Sequence, residues 1–274
     1  MPESGQTSPL VTPIRRRSAS SDRLSEMTAL ARRSIIHLRR RPTLLVFSIL
    51  EPVLLLLLFR FVFGGAVEMS IDTTYANFMI PGILVQTAIL GAVTIGAGLA
   101  RDLEGGMLDR LHSLPIAPSS LLVGHTVAGL LRTLVVLSAM VATGWLIGFR
   151  PTAGLGDWLG ALGLLLLCAL AMAWVTILVA LLLGGVEMVE TLSLSVLFPL
   201  TLVSSAFVPV ATIPPPVQVI AAHQPVTAIV DAVRALLLGR PAASHLVEAL
   251  AWSLMILTVF AAAAVMLFRW RVHR

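Results

Sequence analysis

A carboxylate, Glu51, lies about seven residues into a long apolar run, with Pro52 beside it. A carboxylate at membrane depth is costly and usually faces a bundle interior or a watery path, where it can hold a cation or a proton. The proline frees a backbone carbonyl and favours a kink at the same point. Two readings stay open: a polar point on a transport path, or a carboxyl satisfied by a neighbouring helix or by headgroups. Arg60 is nine residues further on, about 180° around a helix, so the two cannot pair within it. It lies near the end of the run, from which it can snorkel. Arg132, in a later apolar run, is the better partner for Glu51 or for Glu190.

A second concentration of charge spans Arg101 to Pro118, between two long apolar runs. Only 12% of the chain is charged, so such a cluster needs a reason. Gly105-Gly106 allows a turn, and Met107 to Leu114 can form about two helical turns before Pro115. Leu103, Met107, Leu111 and Leu114 then share one face. A short helix across the mouth of a bundle can press that face into a partner's groove and pass on its motion. The alternative is a charged loop that only maintains topology. Catalytic sets are missing: there is no H-E-x-x-H, no G-x-S-x-G and no paired His/Cys cluster, and the six His are scattered. No metal site is expected. All 19 basic residues are Arg, and a phosphate-cradling G-x-x-x-x-G-K-[ST] loop requires Lys. Any ATP-driven work must therefore come from a separate subunit.

These residues need elements to hold them, and composition says where. The chain is 57% hydrophobic, with a mean hydropathy of +0.95, too little polar residue to coat a globular domain. The bilayer must act as solvent for much of it. A net charge of +5 could mean nucleic acid, but the Arg cluster at the ends of apolar runs, as cytoplasmic flanks do. The one cysteine, Cys168, excludes an internal disulfide. Six runs have the length of a span: about 44–66, 77–99, 120–146, 158–183, 190–211 and 247–268. The N-terminal flank carries nine Arg and the last six residues three more, whereas the first loop carries Glu68 and Asp72. The positive-inside rule puts both termini in the cytoplasm, the 100–119 patch with them, and the 212–246 segment outside.

Residues 1–21, rich in Ser, Thr and Pro, read as a disordered cytoplasmic tail and lack the apolar core of a signal peptide. From Asp22 to Arg41, Leu24, Met27, Leu30, Ala31, Ile35 and Leu38 recur at helical spacing among Arg. That predicts a basic amphipathic helix in the interface, with a solvated flank as the alternative. In the outer segment, Pro214, Pro215 and Pro216 suit a helix's first turn, and after Gln224-Pro225 a second helical pattern runs to Gly239. Two short helices dipping in and out of the outer leaflet fit this pattern; a surface loop is the alternative. Asp231 and Arg234 stand three apart and can bridge each other.

Glu104-Gly-Gly-Met-Leu-Asp-Arg-Leu-His-Ser-Leu-Pro115 resembles a pattern of permease subunits of type-2 ABC exporters, in particular the daunorubicin-resistance kind. The outer segment is similar too: Ser205-Ala-Phe-Val-Pro209, Ile213-Pro214, His223-Gln-Pro225, then Arg234 and Gly239, in the family's order. The histidine before Gln-Pro is not general in the family. The likeness covers about residues 23–272 and leaves the substrate open. It implies a coupling helix that docks on an ATPase subunit through Leu103, Glu104, Met107, Leu108, Arg110, Leu111 and Leu114. It also implies an interfacial elbow at 22–41 and an outer re-entrant gate with Pro209, Pro214, His223, Gln224, Pro225, Asp231 and Arg234.

The expectation is an all-α integral membrane protein, with a tail at 1–21 and one transmembrane domain at 22–274. It has six transmembrane helices, an N-terminal interfacial helix and a re-entrant pair before the last span. It would sit in the cytoplasmic membrane of a bacterium. The chain would be the permease subunit of an exporter for a lipophilic drug or lipid, paired with a second copy or a similar permease. It would bind no cofactor or nucleic acid; ATP and magnesium belong to the partner ATPase. Glu51 and Arg132 are the candidates for its transport path; rival readings are an ion-driven transporter using Glu51 and a membrane enzyme or immunity-type structural protein.

Overall fold

A computed structural model gives the structure of residues 42–63, 74–106 and 119–272. The tail, the amphipathic helix expected over 22–41, and Met107, Leu108, Arg110, Leu111 and Leu114 lie outside the described residues. Helix α1, Pro42–Leu58, runs into a π-helical turn at Phe59–Phe63. α2 (Tyr75–Gly91) and α3 (Val93–Glu104) form one span interrupted at Ala92. α4 (Ser119–Leu146), α5 (Leu155–Leu183) and α6 (Val186–Leu202) follow. A 3-10 turn at Val210–Thr212 leads to α7 (Pro215–Ala222), α8 (Pro225–Leu237) and α9 (Ala243–Val272). The described residues contain no strand.

Four stretches are long and apolar enough to cross a membrane: Tyr75–Glu104, Leu121–Leu146, Leu155–Leu183 and Ala243–Trp270. The α7–α8 pair, bent by 68°, makes a fifth if it counts as one crossing. α1 and α6 have only 17 residues each. A straight helix needs about 20 to span the hydrocarbon, so the six runs in the sequence do not become six equal helices. The largest departure is the run expected over 190–211. Its helix stops at Leu202, where Val203 N donates back to Pro199 O at 2.9 Å and Ser204 Oγ donates to Thr201 O at 2.6 Å. Hydropathy is blind to this stop, because the turn that follows is as apolar as the helix.

α5 is the centre of the bundle and packs on α2, α3, α4, α6, α8 and α9. Lipid tails are as apolar as leucine, so helices in a bilayer associate through close packing and interhelical hydrogen bonds. Both operate here. A Cβ on Gly96 would stand 2.6 Å from Thr176 O, so α3 and α5 meet almost backbone to backbone. At the same contact Thr176 Oγ1 donates to Ala92 O at 2.8 Å, adding a donor to a carbonyl at the α2–α3 interruption. Gly82 is tighter still: a Cβ there would stand 2.3 Å from Ala206 O, in the turn after α6. α9 covers α5 and α8 on one side and leaves Val247, Leu254, Val259 and Met266 exposed, as a lipid-facing surface requires.

Gly82→Ala should therefore lower stability by about 1–3 kcal/mol, since neither backbone can yield to the added methyl. Gly163→Ala, on an open face of α5 with nothing near the added atom, should leave stability unchanged or slightly raised. Thermal unfolding of both variants in nanodiscs measures the contrast; equal melting points would contradict this packing.

Candidate functional site

The polar residues gather in three places. The first is the polar face of α8. Gln224, Thr227, Asp231 and Arg234 follow one another at steps of three, four and three, which puts them on one helix face. That face lies along the turn that follows α6. Gln224 Nε2 donates to Val203 O. Thr227 Oγ1 accepts from Ser205 N at 3.3 Å, and Asp231 Oδ1 accepts from Ser205 Oγ at 2.7 Å. Arg234 Nη2 donates to Ser205 O at 2.6 Å, Nη1 to Asp231 Oδ1 at 2.7 Å and Nε to Phe78 O at 3.0 Å. Its guanidinium also lies over the Phe78 ring, 3.9 Å from the centroid. Only 8% of Arg234 is exposed. The i,i+3 bridge between Asp231 and Arg234 is present, but it is one strand of a wider knot joining α2, α8 and the turn. Sequence reasoning missed Ser205, Thr227 and Phe78 as partners. The one signal available was the regular spacing of four polar residues on α8.

The other residues expected at a gate are nearby but play smaller parts. Pro209 O accepts from Thr212 N at 3.0 Å and opens the 3-10 turn, and Pro214 O accepts from Gln218 N at 2.9 Å as α7 begins. His223 ends α7 with Nδ1 donating to Val219 O at 3.0 Å, and Pro225 starts α8.

The second place is the root of the charged patch. Arg101 to Glu104 form the last turn of α3, and Gly106, at φ 68°, turns the chain away. Asp102 Oδ2 accepts from His125 Nε2 of α4 at 2.8 Å. Glu104 Oε1 accepts from Val186 N at 3.1 Å. The residue before Val186 is Gly185, which has no side chain to cap α6, so Glu104 caps it from another helix. Leu103 packs partly buried against the core. It stands before the glycine turn, and the other residues expected on its face lie outside the described residues.

The third place is a cavity of about 260 Å³ between α1, α2–α3, α4 and α6. Glu51, Arg132 and Glu190 all line it, with Ser48, Gln86 and Thr94. Arg132 Nη2 donates to Ser48 Oγ, and the Glu51 charge attracts the guanidinium across the space. Leu55, Leu90, Val136 and Leu194 form apolar walls. Among the described residues no group of three His, Cys, Asp or Glu stands close enough to hold a metal ion. The arrangement can hold a polar or charged group beside an apolar body.

Removing the Arg234 side chain takes its donors from two backbone oxygens and leaves Asp231, half-buried, with Ser205 Oγ alone. Arg234→Ala should cost about 3 kcal/mol or more, as the loss of one partner of a buried pair does. Arg234→Lys should not restore it, because one ammonium cannot reach acceptors in three directions. Unfolding curves of the two variants in nanodiscs test this; wild-type stability in the lysine variant would overturn the fork-like role.

Comparison with known proteins agrees with this architecture. The family model described as ABC-2 type transporter matches residues 25–238. The chain is similar to a daunorubicin resistance ABC transporter permease protein, DrrB1, of Streptomyces coeruleorubidus, at 29% identity over 85% of this chain and 84% of the relative. It is similar to a probable doxorubicin resistance ABC transporter permease protein, DrrC, of Mycobacterium tuberculosis, at 28% identity over 75% of this chain and 74% of that one. A putative transport permease, ycf38, of Porphyra purpurea is 28% identical over 77% of this chain and 73% of its own length. A family match that runs from before α1 to the end of α8 takes in all three polar sites, and the chain belongs to the ABC-2 type transporter family as a multi-pass membrane permease.

Proposed function

We propose that the chain is the membrane-spanning half of an ATP-driven exporter for a lipophilic substrate, with ATP and magnesium held by a separate subunit. The observation that carries this reading is the root of the charged patch. The segment 107–118 leaves α3 at Gly106 and re-enters at α4, and the end of α3 is tied to α4 through Asp102–His125 and to α6 through Glu104–Val186. A push on that segment would reach three helices at once, and α3, α4 and α6 all border the cavity. A loop that only kept topology would need no such ties.

In this reading both termini and the 107–118 segment face the cytoplasm of a bacterial cell. The basic helix at 22–41 lies in the inner interface. α1 and α6 complete six crossings, and α7–α8 enter and leave the outer leaflet as a gate. A second copy, or a similar permease, covers the exposed face of α1, where Val46, Phe47, Leu54 and Leu58 stand open. Two of the relatives are named for resistance to daunorubicin or doxorubicin, which supports export of a small lipophilic molecule. The apolar cavity walls support it as well.

The test is reconstitution with a nucleotide-binding subunit encoded beside this chain, followed by ATP-dependent transport in proteoliposomes. Leu111→Asp should abolish ATPase association while the chain still inserts. Glu104→Ala should keep association but reduce transport several-fold, because α6 loses a cap worth about 1 kcal/mol and its tie to α3. Transport that ignores ATP and follows a proton gradient would replace this reading with an ion-driven transporter.

A further inference from the structure

Two arginines at one end of the bundle have no acid to meet. Arg150 lies in the loop between α4 and α5, and Arg240 in the loop between α8 and α9. Both are exposed, and neither makes an ion pair among the described residues. The two loops touch: a Cβ on Gly239 would stand 3.1 Å from Thr152 Oγ1. Both arginines are held from behind. Arg150 N donates to Asn77 Oδ1 at 2.9 Å, and its Nη1 caps the end of α4 by donating to Trp145 O at 2.9 Å and Phe149 O at 3.0 Å. Arg240 N donates to Ala235 O at 2.8 Å, in a turn that Gly239 makes at φ 61°. Arg150 Nη2 and Nε and the whole Arg240 guanidinium keep their donors unused among the described residues. Nearby acids are engaged elsewhere: Asp157 Oδ2 accepts from Gly154 N at 3.1 Å, and Asp231 is bonded to Arg234. The same end carries the marks of a membrane surface. Trp145 and Trp158 meet edge to face at 6.4 Å, and such amphipathic rings gather at headgroup level. Leu146, Leu155 and Leu159 stand exposed beside them, as residues covered by acyl chains do. Arg150, tied to the Trp145 carbonyl, is thereby fixed at the depth of lipid phosphates.

We infer that Arg150, Thr152 and Arg240 form a seat for the phosphate of an anionic phospholipid, whose acyl chains run down past the exposed leucines. A guanidinium fork matches phosphate oxygens in geometry as well as in charge, and Thr152 Oγ1 adds a hydroxyl donor between the two loops. A zwitterionic lipid brings its own ammonium to the phosphate, so it gains less from the two arginines. A free phosphate has the charge but no chains to hold it at this depth. A lipid held here would tie the end of α4 to the end of α8, the helix whose polar face holds the turn after α6. Its place in the outer leaflet rests on the orientation given above; the binding does not.

The experiment places a bimane label beside the seat, at Ala153→Cys, in the full chain in phosphatidylcholine nanodiscs; Cys168 is buried and does not compete for the label. The quenchers are phosphatidylglycerol and phosphatidylcholine carrying a nitroxide near the top of one acyl chain, so that they differ only in the head. Phosphatidylglycerol should quench at about a fivefold lower lipid fraction, the worth of an exposed charge pair. Arg150→Gln and Arg240→Gln should each remove most of that preference, and the double variant should lose no more than either, as two donors sharing one phosphate do. Small losses that simply add would mark a diffuse field of charge and overturn the seat. Equal quenching by the two lipids overturns it as well. So does a preference that inorganic phosphate abolishes at constant ionic strength, which would make this a site for a free anion. Arg240 makes no side-chain bond among the described residues, so Arg240→Gln stands as a test even if Arg150→Gln, which loses the cap of α4, fails to fold. Selective quenching without ATP-dependent transport would sink the permease reading and leave the seat; ATP-dependent transport without selectivity would do the reverse.

Discussion

An irregular stretch of backbone inside an apolar bundle must find partners for its N–H and C=O groups, and here one helix face provides them. The turn after α6 bares the polar groups of Val203 and Ser205 where lipid can offer nothing. Gln224, Thr227, Asp231 and Arg234 of α8 answer them from a single ridge. Arg234 extends the answer to Phe78 O and so fastens α2 to the same point. Gly82 lets the turn approach α2 until the two backbones touch. Phe207, in the turn, stacks on Phe59 at 4.5 Å and brings in the π-helical end of α1. Four elements that hydropathy alone would leave loosely arranged are held in one register by this knot.

The same rule shapes the rest of the bundle. Where the α2–α3 span breaks at Ala92, Thr176 from α5 adds a donor to the carbonyl. Where α6 begins at a glycine that cannot cap it, Glu104 reaches across from α3. Asp102 finds His125. Each solution ties two helices together, so satisfying polar groups and fixing the packing are one act in this protein. The rule is left incomplete at a few buried atoms among the described residues, Gln86 Oε1 and Gln224 Oε1 among them.

Much of the fold was legible from hydropathy and punctuation. The turn at Gly105-Gly106 and the paired short helices begun by Pro215 and Pro225 appear as expected. Glu51, Arg132 and Glu190 were legible as charges that need company, and they do share one cavity. Leu103 lies in the last turn of α3, partly buried against the core, and the other residues of its expected face lie outside the described residues. The stop of α6 at Leu202 was missed because apolar residues in a turn score like apolar residues in a helix. Gln86 and Thr201 drew no notice, since a lone amide or hydroxyl in an apolar run has no sequence signature of its role.

By itself, then, the sequence determined the solvent and the helical class, because these depend on composition and period. It also determined the family, since ordered motifs survive in the linear chain. Only the tertiary structure decided which acceptor meets which donor. Ser205 with Thr227, Glu104 with Val186 and Gln86 with Thr201 are 22, 82 and 115 residues apart. Such pairings depend on how helices cross, and a few tenths of an ångström at Gly82 and Gly96 set those crossings.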